Sequence, residues 1–240
     1  MIPITIDGKR TEVAEDTTLL EAARKLGRPI PTLCHHPALS PDGNCRLCMT
    51  EIRVGEKTRM VTACNYPVRR ELEAWTRSER VERFRKRLLT SMLARWPEVP
   101  AIKEYAAMYG ASEPSYRHPM RSEAEDACIL CGRCVRACAE ITWENIIGFV
   151  GRGAERRVAM PFDTFYDRCI GCATCASVCP TGALKVYDEA NQPVDAKRVA
   201  RYGLKLGEEM AMLDDEQCQM RRVGTSHLVE IMDAYDLLPT

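Results

Sequence analysis

Eight of the thirteen cysteines in this chain fall into two copies of one pattern, Cys-x2-Cys-x2-Cys-x3-Cys, at residues 128–138 and 169–179. Three thiols at steps of three wrap a single turn of backbone around one corner of a metal cluster. The fourth thiol does not close easily on the same corner. A second, looser group comprises Cys34, Cys45, Cys48 and Cys64, and Cys218 stands alone. Thiols in such numbers serve disulfides, zinc or iron–sulfur clusters. The start, Met1-Ile-Pro-Ile-Thr-Ile-Asp7-Gly8, lacks the charged segment and apolar run of a secretory signal, and nothing approaches the ~18 apolar residues of a membrane span. The expected location is therefore cytoplasmic, where thiols stay reduced and disulfides are the weak reading. Zinc sites generally take cysteines in spaced pairs, not in runs of three with a fourth behind them. Iron–sulfur ligation is the chemistry that this spacing supports.

In ferredoxins with two such runs, the fourth cysteine of each ligates the other run's cluster. That rule assigns Cys128, Cys131, Cys134 and Cys179 to one [4Fe–4S] cluster, and Cys169, Cys172, Cys175 and Cys138 to a second. Pro180 follows Cys179, as the bacterial ferredoxin signature has it, whereas Ala139 replaces the proline after Cys138. Gly132 and Gly171 sit inside the runs, where backbone must come close to a cluster.

The rest of the chain arranges itself around these groups. Alternating Ile2-Pro-Ile-Thr-Ile6, a turn at Asp7-Gly8 and Lys9–Val13 predict a hairpin. Thr18 and Glu21 form a capping box ahead of a helix, which Gly27, Pro29 and Pro31 end. Strands near 49–54, 58–63 and 70–75 complete a β-grasp-like order. Val81, Phe84, Leu88, Met92 and Trp96 recur at helical steps over 79–96, and a short helix fits 101–109. Residues 111–122 read as a linker, and the tail from 196 onward as helical, with Ser226 capping a helix to about Leu237. The expected fold is α+β: a β-grasp [2Fe–2S] domain over 1–77, a helical connector over 78–122, a bacterial-type two-[4Fe–4S] ferredoxin domain over 123–190, and a helical, partner-docking tail over 191–240.

Cys34-x10-Cys45-x2-Cys48-x15-Cys64 carries a Gly turn before its middle pair and a distant fourth thiol after a hairpin, the layout of a [2Fe–2S] loop, with a first gap longer than the plant type's four. Pro31-Thr-Leu-Cys34-His-His-Pro37, Gly43-x-Cys45-Arg-x-Cys48 and Ala63-Cys64-Asn65-x-Pro67-Val68 give a specific resemblance. They are similar to the N-terminal region of the large iron–sulfur subunit of respiratory complex I, to the small iron–sulfur subunit of soluble NAD-linked hydrogenases, and to part of some NAD-linked formate dehydrogenases. With the two cysteine runs, the resemblance covers roughly residues 1–188. It implies an electron-transfer subunit that draws electrons from a flavin-bearing, NADH-oxidising partner and passes them to a second redox partner: a hydrogenase, a formate dehydrogenase or a bifurcating reductase. Flavin and NAD(H) belong on the partner. Such relatives usually carry a further cluster, held by one histidine and three cysteines, between the two domains. Here residues 78–122 contain no cysteine, and His118 alone cannot hold one.

The remaining candidates read more simply. Four cysteines complete the first ligand set, so His35 and His36 are expected to pack beside it. Arg46 is either a charge near the sulfurs or a solvated loop residue. Cys218 reads as a buried free thiol, and Met210, Met212 and Met220 as core. Gly151-x-Gly153 lacks the third glycine and the strand–turn–helix of a dinucleotide loop. Balanced charge, 34 basic against 34 acidic residues, points away from nucleic acid. No catalytic constellation stands out, so the chain is expected to relay electrons without a catalytic site of its own. An alternative is the iron–sulfur subunit of a succinate dehydrogenase or fumarate reductase type, whose first cysteine gap is short. A zinc-stapled adaptor is a third.

Overall fold

The computed structural model describes residues 1–122, 127–160, 169–187 and 192–199, and beyond them the backbone of four short strands. It divides into two units, one of Met1–His35 with Pro41–Ala124, the other of His36–Ser40 with Glu125–Thr240.

The first unit is built on a mixed five-stranded sheet. Strands β1 (Ile2–Ile6) and β2 (Lys9–Val13) form the hairpin, turning at Asp7 and Gly8, both with positive φ. Helix α1 (Leu19–Lys25) opens with the full capping box: the Thr18 hydroxyl accepts from Glu21 N–H, and the Glu21 carboxylate accepts from Thr18 N–H. It closes with a Schellman motif, Arg28 N–H donating to Ala23 O and Gly27 N–H to Arg24 O. Strands β3 (Met49–Val54) and β4 (Lys57–Thr62) pair antiparallel, and β5 (Leu72–Trp75) inserts between β3 and β1, parallel to β1, giving the order β2-β1-β5-β3-β4. Period-2 alternation sends Ile4, Ile6, Ile52, Leu72 and Ala74 inward against Leu19, Leu20 and Ala23 of α1. Each leucine or isoleucine so buried contributes about 1.5–3 kcal/mol.

Helix α2 (Glu79–Arg95) is capped by Ser78, whose hydroxyl accepts from Val81 N–H, and helix α3 (Pro100–Met108) starts on a proline. Residues 111–122 hold no helix or strand, as expected of a linker. The buried stripe of α2 differs from the sequence expectation. Val81 is buried, but Phe84, Leu88, Met92 and Trp96 are only half-buried, and the inward positions after Val81 are Arg85, Leu89 and Leu93 at steps of four. The arginine in that row hides the true stripe from a hydrophobicity pattern.

In the second unit, helix α4 (Arg133–Glu140) carries Cys134 and Cys138 of the first cysteine run, and α5 (Thr174–Ser177) carries Cys175 of the second. Between them lies the hairpin of β6 (Gly148–Val150) and β7 (Arg157–Ala159), which accounts for Gly151 and Gly153 as turn residues. Strand β8 (Lys185–Tyr187) pairs with β9 (Pro193–Val194), and helix α6 (Ala196–Val199) begins the tail. The segment His36–Ser40 packs in this unit. Ser40 donates from its N–H (2.7 Å) and hydroxyl (2.5 Å) to the Glu140 carboxylate, and Leu39 joins Ala137, Ile141 and Val178.

The tail departs from the helical expectation where it is described. Its backbone forms β10 (Tyr202–Gly203), β11 (Ala211–Met212), β12 (Met220–Arg221) and β13 (Leu228–Ile231), and β13 runs parallel to β8. Within the span expected to be a helix from Ser226 to Leu237, Leu228–Ile231 is therefore a strand. Its local pattern suits either form, and the open edge of β8 selects pairing. Ser226, Leu237, Met210 and Cys218 lie outside the described residues, as do the side chains of Met212 and Met220. Among the described residues no helix is long and apolar enough to cross a membrane.

Candidate iron–sulfur centres

The first cysteine group converges in the β-grasp unit. Cys34, Cys48 and Cys64 are buried and Cys45 half-buried, although the chain brings them from two loops and the short 3-10 turn Ala63–Asn65. Side-chain hydrogen bonds link Cys34 to Cys45 and Cys64, and Cys64 to Cys48. Hydrogen bonds from the Cys45 and Cys64 thiols hold Cys34 down to about 2, and one from Cys64 holds Cys48 down to about 7. The same contacts, with burial, push Cys45 and Cys64 above the usual thiol range. The Cys45 N–H donates to Cys34 Sγ at 3.3 Å. Four thiols drawn together, with a backbone N–H aimed at one of them, fit a thiolate-ligated cluster.

The loop's curvature comes from two left-handed residues, Gly43 (φ 75°) and Arg46 (φ 59°). Arg46 is exposed. A Cβ on Gly43 would lie 2.6 Å from Asn65 Nδ2, and the Thr62 hydroxyl donates to Asn65 Oδ1, so the obstacle is itself held. Gly43→Ala is expected to destabilise the first unit by about 1–3 kcal/mol, read as a lowered midpoint in urea unfolding. An unchanged midpoint would show that the loop conformation is not under this constraint. His35 is buried beside Cys34. His36 accepts from Ala38 N–H at 3.3 Å through Nδ1 and is held below its ordinary range by burial first, then by Arg133, Arg136 and Lys197.

The two cysteine runs share one backbone. Left-handed residues fall at Leu130 (54°) and Gly132 (72°) in the first, and at Gly171 (65°) and Ala173 (56°) in the second. Each run thus places one glycine and one strained non-glycine at the same two positions around the middle cysteine. The internal repeat is conformational as well as sequential, and the curl wraps thiols around a point.

The fourth cysteines cross over. Cys138, from the first run, lines one cavity with Cys169, Cys172 and Cys175 of the second. On the other side, Cys131 and Cys134 feel the charges of both Cys128 and Cys179. The Ile146 N–H donates to Cys138 Sγ at 3.3 Å, and Cys138 O accepts from the Thr142 hydroxyl (2.9 Å) and from the N–H groups of Glu144 and Asn145. Burial pushes Cys131 up to about 11 and Cys134 to about 12, and it raises Cys172 and Cys175. Burial also acts upward on Cys179, but hydrogen bonds from the Thr181 hydroxyl and from the N–H groups of Leu184, Thr181 and Ala183 outweigh it and leave that thiol lowered. Crowded, buried thiols become thiolates only where a positive charge compensates them, which ferric and ferrous ions supply. The donor sets fit thiolate-bound clusters.

No thiol stands in residues 78–122, and His118 accepts from Met120 N–H at 3.0 Å through Nδ1. One polar residue escapes a reading of the sequence. Arg85, fully buried, donates to the carbonyls that flank Cys48. A charged residue at a helical step of four between Val81 and Leu89 is its only signal.

Comparison with known proteins agrees with this geometry. Residues 1–79 match a 2Fe-2S iron-sulfur cluster binding domain, and residues 127–183 a 4Fe-4S dicluster domain. The molecule is thus an iron–sulfur protein that joins a 2Fe–2S ferredoxin-like domain to a 4Fe–4S dicluster domain. In particular, the chain is homologous to the NADPH-Fe(3+) oxidoreductase subunit alpha of Geobacter sulfurreducens, 36% identical over 204 residues, covering 77% of this chain and 24% of that protein. It is likewise homologous to a subunit of the NADH-quinone oxidoreductase of Rhizobium meliloti, 32% identical over 209 residues, with 78% of this chain and 24% of that protein covered. Among solved structures, a chain of an NAD+-reducing [NiFe]-hydrogenase in the H2-reduced state superposes with a TM-score of 0.55 at 28% identity, over 67% of this chain and 75% of that one. The chain spans about a quarter of the length of those two curated relatives. The resemblance drawn from Pro31–Pro37, Gly43–Cys48 and Ala63–Val68 is borne out.

Proposed function

We propose that this chain is the electron-transfer subunit of a multi-subunit NAD(P)H-linked oxidoreductase, carrying single electrons through one [2Fe–2S] and two [4Fe–4S] clusters. Cys34, Cys45, Cys48 and Cys64 hold the first. Cys128, Cys131, Cys134 and Cys179 hold the second, and Cys169, Cys172, Cys175 and Cys138 the third. The observation that carries this reading is the cavity in which Cys138 meets the thiols of the other run, because a pair of clusters that exchange their fourth ligands calls for that arrangement. When bound, the clusters supply one-electron carriers at potentials that the protein tunes. The chain's own residues hold the sulfurs, exclude water from them and aim N–H groups at Cys34 and Cys138, which favours the more negative reduced state.

The donor in this reading is a flavin-bearing subunit that oxidises NADH or NADPH, and the acceptor is a second redox subunit: a hydrogenase, a formate dehydrogenase or a bifurcating reductase. The tail beyond residue 191 docks a partner. Residues 78–122 are a scaffold that has kept its helices without the ligands of a further cluster. The relatives described above are NAD(P)H-linked, and no observation favours the succinate dehydrogenase-like alternative.

The test is iron and acid-labile sulfide per chain on protein purified without oxygen, together with the EPR spectrum after dithionite reduction. About ten irons with matching sulfide, and signals of both cluster types, are expected. About fourteen irons would mean a fourth cluster, and zinc in place of iron would overturn the electron-transfer reading.

A further inference from the structure

Arg85 sits at the middle of α2 with no exposed surface. Its guanidinium spends all three nitrogens on neutral acceptors. Nε donates to Leu47 O at 3.1 Å and Nη2 to Met49 O at 2.9 Å. Nη1 donates to Thr76 O at 2.8 Å and to the Tyr109 hydroxyl at 3.0 Å. The ring of Tyr109 also lies under the cation, 5.4 Å from the centroid. None of these partners carries a negative charge, and among the described residues no carboxylate pairs with Arg85. A guanidinium buried among neutral groups is costly unless an anion lies close by. Burial indeed works against its charged form, while Tyr109 first and then Cys48 favour it.

The position of Arg85 supplies the anion. Leu47 and Met49 are the two residues on either side of Cys48, so one fork grips the backbone across a single cluster ligand. The Cys48 carbonyl is held as well, accepting from Ala63 N–H at 3.2 Å and from the Thr50 hydroxyl at 3.2 Å. Two ferric ions, two sulfides and four thiolates sum to about −2, and to about −3 after one electron enters. A fixed cation in a water-poor interior therefore stabilises the reduced cluster more than the oxidised one.

We infer that Arg85 is the positioning residue that sets the [2Fe–2S] potential, holding Cys48 through the flanking carbonyls and raising the cluster's potential through its buried charge. The inference rests on the cluster assignment proposed above. The juxtaposition is specific: α2 contributes one buried charge, placed one helical step from Val81 and Leu89, and it reaches the two carbonyls that bracket a single cluster ligand.

The test is an EPR-monitored redox titration of the full chain, following the [2Fe–2S] signal and using the [4Fe–4S] signals in the same sample as an internal reference. Arg85→Gln removes the charge, and Arg85→Lys keeps it while breaking the two-carbonyl fork. Arg85→Gln is expected to shift the oxidised-to-reduced ratio at fixed potential at least tenfold toward oxidised, a fall in midpoint of about 59 mV for one electron. Arg85→Lys is expected to stay within threefold of the unaltered chain, and the [4Fe–4S] midpoints to stay put in both. A shift below threefold in Arg85→Gln, or an Arg85→Lys shift equal to that of Arg85→Gln, would overturn the inference. If Arg85→Gln does not keep its cluster, Arg85→Lys decides alone: within threefold supports the role of charge, and beyond it refutes that role. Absence of a [2Fe–2S] signal from the unaltered chain would instead overturn the cluster assignment itself.

Discussion

Replacing Cys138 and Cys169 together by alanine is expected to cost one cluster, whereas replacing Cys138 and Cys128 together is expected to cost two. The first pair comes from different runs but lines one cavity, and the second comes from one run and faces two. Iron per chain should fall from about ten to about six in the first variant and to about two in the second. If each run instead ligated a cluster by itself, the two results would exchange. Single substitutions cannot make this distinction, since each removes one cluster under either scheme. The iron count, read beside the EPR signals of the reduced protein, thus tests the cross-ligation directly. Both variants leave the first unit and its Cys34, Cys45, Cys48 and Cys64 untouched, so the [2Fe–2S] signal should persist as a control.

Removing iron is expected to unfold the dicluster region while leaving the β-grasp region folded. The asymmetry follows from what each has besides metal. The first unit has a five-stranded sheet, a doubly capped helix and a core that joins β1, β3 and β5 to α1. The second has only small groups of buried apolar residues among those described, such as Ala173, Ala176 and Val186, or Leu39, Ala137, Ile141 and Val178. Its helix α4 is eight residues and α5 four, far short of the 12–15 or so that an isolated helix needs. Left-handed Leu130 and Ala173 add backbone strain of about 1 kcal/mol or more each. A structural metal contributes on the order of 10 kcal/mol to a fold of this kind, more than such a core can replace. Hydrogen exchange after anaerobic chelation should show amide protection lost over residues 127–160 and 169–187 and kept over β1–β5. Equal retention in both regions would show that the dicluster region holds itself together without iron.

Much of the β-grasp region is legible in the sequence because its signals are local. The capping box at Thr18 and Glu21, the turn at Asp7-Gly8 and the alternation of Ile2–Ile6 each act within a few residues. The strands over 49–54 and 72–75 lie within two residues of expectation for the same reason. The α2 stripe is misplaced by the sequence because hydrophobic period counts residue types, and the inward face of that helix includes an arginine. The strand at Leu228–Ile231 reads as helix because its partner, β8, lies far back along the chain.

The sequence by itself determined the chemistry. Cysteine spacing is a short-range property, and steps of three with a closing step of four suit a thiolate-bound cluster wherever the run is placed. It also made the order of the cluster regions legible, because the looser group of four cysteines precedes the two runs along the chain. Tertiary structure decided what depends on contacts between distant segments: that β5 enters the sheet beside β1, that Cys138 faces the cavity of the other run, and that Arg85 points its charge at the carbonyls around Cys48. The physical reason is that no local rule places a charge indoors. A buried guanidinium is tolerated only where the folded chain gathers its acceptors from several segments, and Leu47, Met49, Thr76 and Tyr109 become neighbours only after the sheet and helices have closed.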